Sequence, residues 1–168
     1  MKPVWKAMPF MEYLAIQDPT GALTAKVYAG VHRVFKSMGG DPSFEDTYQS
    51  DWESDPVPMS AAAVIDYLGR IQYAPTRSES MYGCFSEYDY RNGPTIRITT
   101  HQWPDDNRVD TILHETAHAV QSVLQGYTDH GPQWVRMATL LGCKDASEFV
   151  EDEAAILFFE AGIDGLLA

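Results

Sequence analysis

The segment from Val109 to Gly126 constrains this chain more than any other. Its apolar residues Val109, Ile112, Leu113, Ala117, Val120 and Leu124 recur at three- and four-residue steps, the period of a helix with one buried stripe. Pro104 and the acids Asp105 and Asp106 suit the start of that helix, and Gly126 suits its stop. The same run carries His114, Glu115, Thr116, Ala117 and His118. Four residues make slightly more than one turn, a rise of about 6 Å, so both imidazoles project from one side. A fold that accepts this helix must bury its apolar stripe and still bring other residues up to the imidazole pair.

Two histidines so spaced can bind one metal ion, and a carboxylate one step around the helix can hold a water without ligating the ion. Zinc (Zn2+) fits best, because imidazole nitrogen suits it at about 2.0 to 2.1 Å. Only Cys84 and Cys143 are present, with no CxxC pair, so neither a zinc ribbon nor a disulfide framework is available. Glu115 is then expected to be the general base. A lone helical histidine is more often a packed or surface residue; the five-residue combination, on an amphipathic helix with small Ala117 and Ala119, argues for a metal site. A catalytic zinc needs three protein ligands and one open position. Eleven residues separate His118 from His130. A helix ending at Gly126 and a turn through Tyr127, Thr128 and Asp129 would return His130 to the pair, with Pro132 opening the next helix. His130 is the expected third ligand, against the plainer reading of a surface histidine at a helix start.

At these residues the sequence resembles a known family. His114-Glu115-Thr116-Ala117-His118, then His130-Gly131-Pro132-Gln133-Trp134, then Met137 and Leu141-Gly142, is similar to the SprT/Spartan zinc metallopeptidases, in which HExxH is followed by HGxxF or HGxxW. The order of the Tyr82-Gly83 strand, the Ile96 and Ile98 strand and the HExxH helix is similar too, so the likeness runs from about Arg70 to Gly142. It implies a zincin-like fold, with His114, His118 and His130 as zinc ligands, Glu115 as catalytic residue, and a protein substrate whose extended chain pairs with an edge strand, for which Tyr82 to Tyr90 is the candidate. Family members that act on proteins crosslinked to DNA commonly carry basic surfaces or added DNA-binding segments, whereas this chain is acidic. A metzincin is excluded, since Gln121 and Leu124 stand where its glycine and third histidine belong. A rival third ligand is Glu153, in an acidic segment resembling the carboxylate-bearing helix of gluzincins; if it ligated, His130 would serve around the metal or toward substrate. Its plainer reading is a solvated acidic face.

The rest of the chain reads as an α+β domain. Leu23, Val27, Tyr28, Val31, Val34, Phe35 and Met38 predict a helix stopped by Gly39-Gly40. Residues 40 to 59 read as a long surface loop. Ser60 can cap a helix through Ala61, Val64, Ile65 and Leu68, ended by Gly69. Two strand-like runs flank Asn92-Gly93 as in a hairpin, and the second alternates buried Ile96 and Ile98 with wet Thr95, Arg97 and Thr99, giving a small antiparallel or mixed sheet. Pro132 to Leu141 and the acidic stretch 145–161 predict two last helices. The 168 residues fit a single domain, 1–168, with its core at about 20–142.

The net charge of -12 repels phosphate and argues against a nucleic-acid partner. Its acids gather in Asp41 to Asp55 and in Asp145 to Asp164. The apolar stretch from Met8 to Ile16 is short and broken by Glu12, which fits neither a signal peptide nor a membrane span, so a cytoplasmic protein is expected. Two functions compete: a zinc endopeptidase using Glu115, and a non-catalytic acidic binding protein stabilised by zinc, in which Glu115 would be dispensable. His32 and His101 read as an ordinary helix residue and a turn residue, and Tyr90 and Tyr127 as packing aromatics before oxyanion donors.

Overall fold

A computed structural model describes residues 3–38, 60–78, 81–89, 93–101 and 105–146. In chain order these form β1 (Met8–Pro9), α1 (Phe10–Gln17), α2 (Ala22–Met38), α3 (Ala61–Arg70), β2 (Gln72–Thr76), β3 (Gly83–Asp89), β4 (Gly93–Thr99), α4 (Asp105–Gln125) and α5 (Pro132–Leu141). The predicted loop at 40–59 and the acidic helix at 145–161 fall outside the described residues, apart from the turn at 143–146.

Local chemistry sets several boundaries. The Ser60 hydroxyl accepts from Ala63 N–H at 3.1 Å, capping α3 as its sequence predicts, and the helix runs one residue past Gly69 to Arg70. Pro132 opens α5, and Gly142, at φ 94°, closes it in a left-handed turn. Helix α1 is an element that the sequence pattern does not announce. It buries Phe10, Tyr13, Leu14 and Gln17, which share one side of two helical turns.

The sheet is mixed, with order β1-β2-β4-β3. Strands β3 and β4 form the antiparallel hairpin that Asn92-Gly93 predicts, with Phe85 opposite Ile96, but β2 runs parallel to β4, with Tyr73 opposite Ile96. Strand β4 is therefore interior. The expectation of a wet face on it is corrected at two of its three residues: Thr95 and Thr99 are buried as fully as Ile96 and Ile98, while the Arg97 side chain stays 36% exposed. Their hydroxyls are satisfied locally, Thr95 donating to the Gly93 carbonyl at 3.0 Å and Thr99 to the Ser78 carbonyl at 3.1 Å.

One core joins these layers. Val27, Val31 and Val34 of α2, Leu68 of α3, Tyr73 of β2, Ile96 and Ile98 of β4, Ile112, Val120 and Leu124 of α4, and Met137 and Leu141 of α5 belong to a single buried cluster. Helix α4 packs against β3 and β4 on one side and α5 on the other, so its polar face opens between the edge strand β3 and the loop leading to α5. None of the described helices is long and apolar enough to cross a membrane.

Candidate metal centre

Helix α4 carries His114, Glu115 and His118 on its polar face, and the loop after Gly126 folds back to deliver His130. The three Nε2 atoms form a nearly equilateral triangle: His114 to His118 3.2 Å, His118 to His130 3.1 Å, His130 to His114 3.2 Å. His114 and His118 are each 9% exposed.

Protons alone do not satisfy this triangle. A neutral imidazole nitrogen is either an N–H donor or a lone-pair acceptor. With three corners and two states, at least one edge must set like against like, lone pair facing lone pair or N–H facing N–H. A cation that accepts all three lone pairs removes the conflict. The size also fits: nitrogens bound to zinc at about 2.0 to 2.1 Å with near-tetrahedral angles stand about 3.3 Å apart. Burial and the neighbouring imidazoles keep the lone pairs available. Desolvation, with a smaller contribution from His130, lowers His114 to about 4, partly opposed by the Asp110 carboxylate. Desolvation, then His114 and His130, lowers His118 to about 3. Both rings are neutral at pH 7, the form that ligates metal.

Glu115 is 4% exposed and stands beside the triangle, its Oε1 4.0 Å from His114 Nε2. Burial pushes its carboxyl up to about 8, opposed by a hydrogen bond donated from the Phe85 backbone N–H of β3. Contact between helix and strand depends on Gly83. A Cβ there would lie 2.9 Å from Thr111 Cγ2, 3.0 Å from the Arg97 carbonyl oxygen and 3.1 Å from Glu115 Cγ, closer than side chains normally approach. An open cleft of about 320 Å³ runs between β3, at Gly83, Cys84 and Phe85, and the loop at Thr128 and Asp129, with the histidines and Glu115 along its floor.

In the sequence Trp134 stands out only as part of a motif, and the structure gives it a position. Its indole is fully buried, and its ring centroid lies 4.5, 5.0 and 4.7 Å from those of His114, His118 and His130. It is an apolar base against which all three imidazoles are packed. Behind His114, Cys143 Sγ and an Asp145 carboxylate oxygen lie within 4.8 Å of a ring nitrogen and of each other. The Asp110 carboxylate of α4 holds that turn by accepting from Lys144 N–H at 2.8 Å and Asp145 N–H at 3.0 Å.

Glu153, the rival ligand, and Tyr90 lie outside the described residues. Tyr127 is 48% exposed on the loop next to the cleft. His32 is exposed on α2, and His101 bonds the Arg77 carbonyl at 3.0 Å in a turn, both in keeping with their plain readings. Compared with protein-family models, with curated proteins and with solved structures, the chain matches none.

Proposed function

We propose that this chain is a zinc-dependent endopeptidase of the zincin, SprT-like kind, acting on a protein substrate. The observation that carries the reading is the triangle of Nε2 atoms with a buried carboxylate beside it. A structural zinc site is normally closed by a fourth protein ligand and has no need of a carboxylate next to two of its histidines. Here all three histidines and Glu115 line an open cleft.

A bound zinc ion would supply Lewis acidity toward a peptide carbonyl and toward the attacking water. The remaining work falls to the chain's own residues. His114, His118 and His130 would hold the ion. Glu115 would orient the water, take its proton during attack, and pass it to the leaving amine. Trp134 would keep the three rings from turning. Strand β3, at the sheet edge and along the cleft, suits main-chain pairing with an extended substrate. The net charge of -12 favours a protein over a nucleic acid as partner.

The test is hydrolysis of a fluorescently labelled unfolded protein by the zinc-loaded chain. Cleavage should stop with a chelator and return with zinc. Glu115→Gln should keep its fold and one equivalent of zinc while losing roughly 10²- to 10⁴-fold in rate. A variant as fast as wild type would remove Glu115 from the mechanism. A zinc-binding wild type that cleaves no unfolded protein would favour the acidic binding protein instead.

A further inference from the structure

The third histidine arrives on a loop, and loops place side chains less tightly than helices do. This loop is tied down by one buried carboxamide. Gln121, three residues beyond His118 on α4, is fully buried. Its Oε1 accepts from Asp129 N–H at 3.0 Å, and its Nε2 donates to Asp129 Oδ1 at 2.8 Å and to Gln125 Oε1 at 3.1 Å. The same Asp129 Oδ1 accepts from Gly131 N–H at 3.1 Å. The residues on both sides of His130 are thus anchored, Asp129 to α4 and Gly131 to Asp129. Residue 131 has little room for more than glycine, since a Cβ there would stand 3.1 Å from Asp129 Oδ2.

A carboxamide suits this position. Asp129 presents a donor on its backbone and an acceptor on its side chain, and the partner must answer both at once. Glutamate offers acceptors alone. Methionine or leucine would fill the space with neither. We propose that Gln121 is the positioning residue for the third ligand: through Asp129 it fixes His130 at the corner of the triangle, so it sets metal affinity without touching the metal. This rests on the metal-site reading above.

The experiment is a titration of the metal-free full chain with Co2+, followed by its visible ligand-field spectrum, and with Zn2+ in competition with a chromophoric chelator. Gln121→Met should leave the far-ultraviolet circular dichroism unchanged, weaken zinc binding roughly 10- to 100-fold, and shift the Co2+ spectrum from the intense bands of a four-coordinate site toward the weak bands of a more hydrated one. Gln121→Glu should also weaken binding, because two carboxylates then face each other. Adding Asp129→Asn to Gln121→Glu restores a donor opposite an acceptor but takes from Gly131 N–H its acceptor, so it should recover part of the affinity, a result that a general loss of packing would not give. The proposal is overturned if Gln121→Met binds zinc within about twofold of wild type with an unchanged Co2+ spectrum. It is overturned equally if the paired change binds no better than Gln121→Glu. A wild-type chain that binds neither ion would instead overturn the metal reading, and the brace with it.

Discussion

In the metal-free protein Glu115 should destabilise the fold, and replacing it with glutamine should show by how much. Burial raises the carboxyl from 4.5 to about 8. A group whose pKa rises on folding contributes stability that is complete below its unfolded pKa and is lost as pH climbs through the folded one. At pH 7 the unfolded chain carries Glu115 ionised, while the folded chain must protonate it or bury its charge. The difference, at 1.36 kcal/mol per unit, comes to about 3 kcal/mol at pH 7 and under about 1 kcal/mol at pH 5. Glu115→Gln removes this cost and keeps a side-chain oxygen for the Phe85 N–H. Urea unfolding with a chelator present should therefore find the variant more stable than wild type by about 3 kcal/mol at pH 7, with most of that gap gone at pH 5. With zinc bound the gap should close, since a neighbouring cation favours the ionised carboxylate. The histidines run the other way. Lowered from 6.5 to about 4 and about 3, His114 and His118 contribute stability that is present above pH 6.5 and lost as pH falls through the folded values. Without the opposing carboxyl, the variant's own stability should fall steadily from pH 6.5 downward. An equal gap at both pH values, or a variant less stable than wild type at pH 7, would refute the assignment of Glu115 as a buried, high-pKa carboxyl.

Two further outcomes follow from the packing around the site. Gly83→Ala should force β3 away from Thr111 and Glu115 and lower kcat for peptide hydrolysis by roughly 10- to 100-fold, with zinc affinity unchanged in a competition titration, because the three atoms nearest to an added Cβ belong to Thr111, Arg97 and Glu115 and none to a histidine. Trp134→Ala should destabilise the chain by about 3 to 5 kcal/mol in chemical denaturation and also weaken zinc binding, since the base under all three rings is removed; unchanged zinc affinity would make Trp134 a core residue only.

Much of the helical framework is legible in the residues themselves. The stripe from Val109 to Leu124 gives α4, Ser60 marks the start of α3, and Pro132 and Gly142 bracket α5, because each of these is a local event governed by residues within one or two turns. Helix α1 carries the same kind of signal in Phe10, Tyr13, Leu14 and Gln17, but eight residues are too few for it to stand out. Strand β4 departs from its sequence pattern on one face for a different reason. Alternation distinguishes buried from wet only when one face of a sheet meets water, and at Thr95 and Thr99 that face of β4 is covered.

At the site, the sequence alone determined that His114 and His118 share a face, because helical pitch requires it, and it made His130 a candidate by the length of the intervening turn. Whether three nitrogens close to 3.1–3.2 Å was decided by tertiary structure, through the grip of Gln121 on Asp129 and the indole of Trp134 beneath the rings, and the missing side chain at Gly83 separately admits β3 beside Glu115. Periodicity registers neighbours along one element, whereas these contacts join residues on separate elements whose distances exist only once helix, loop and strand have packed together.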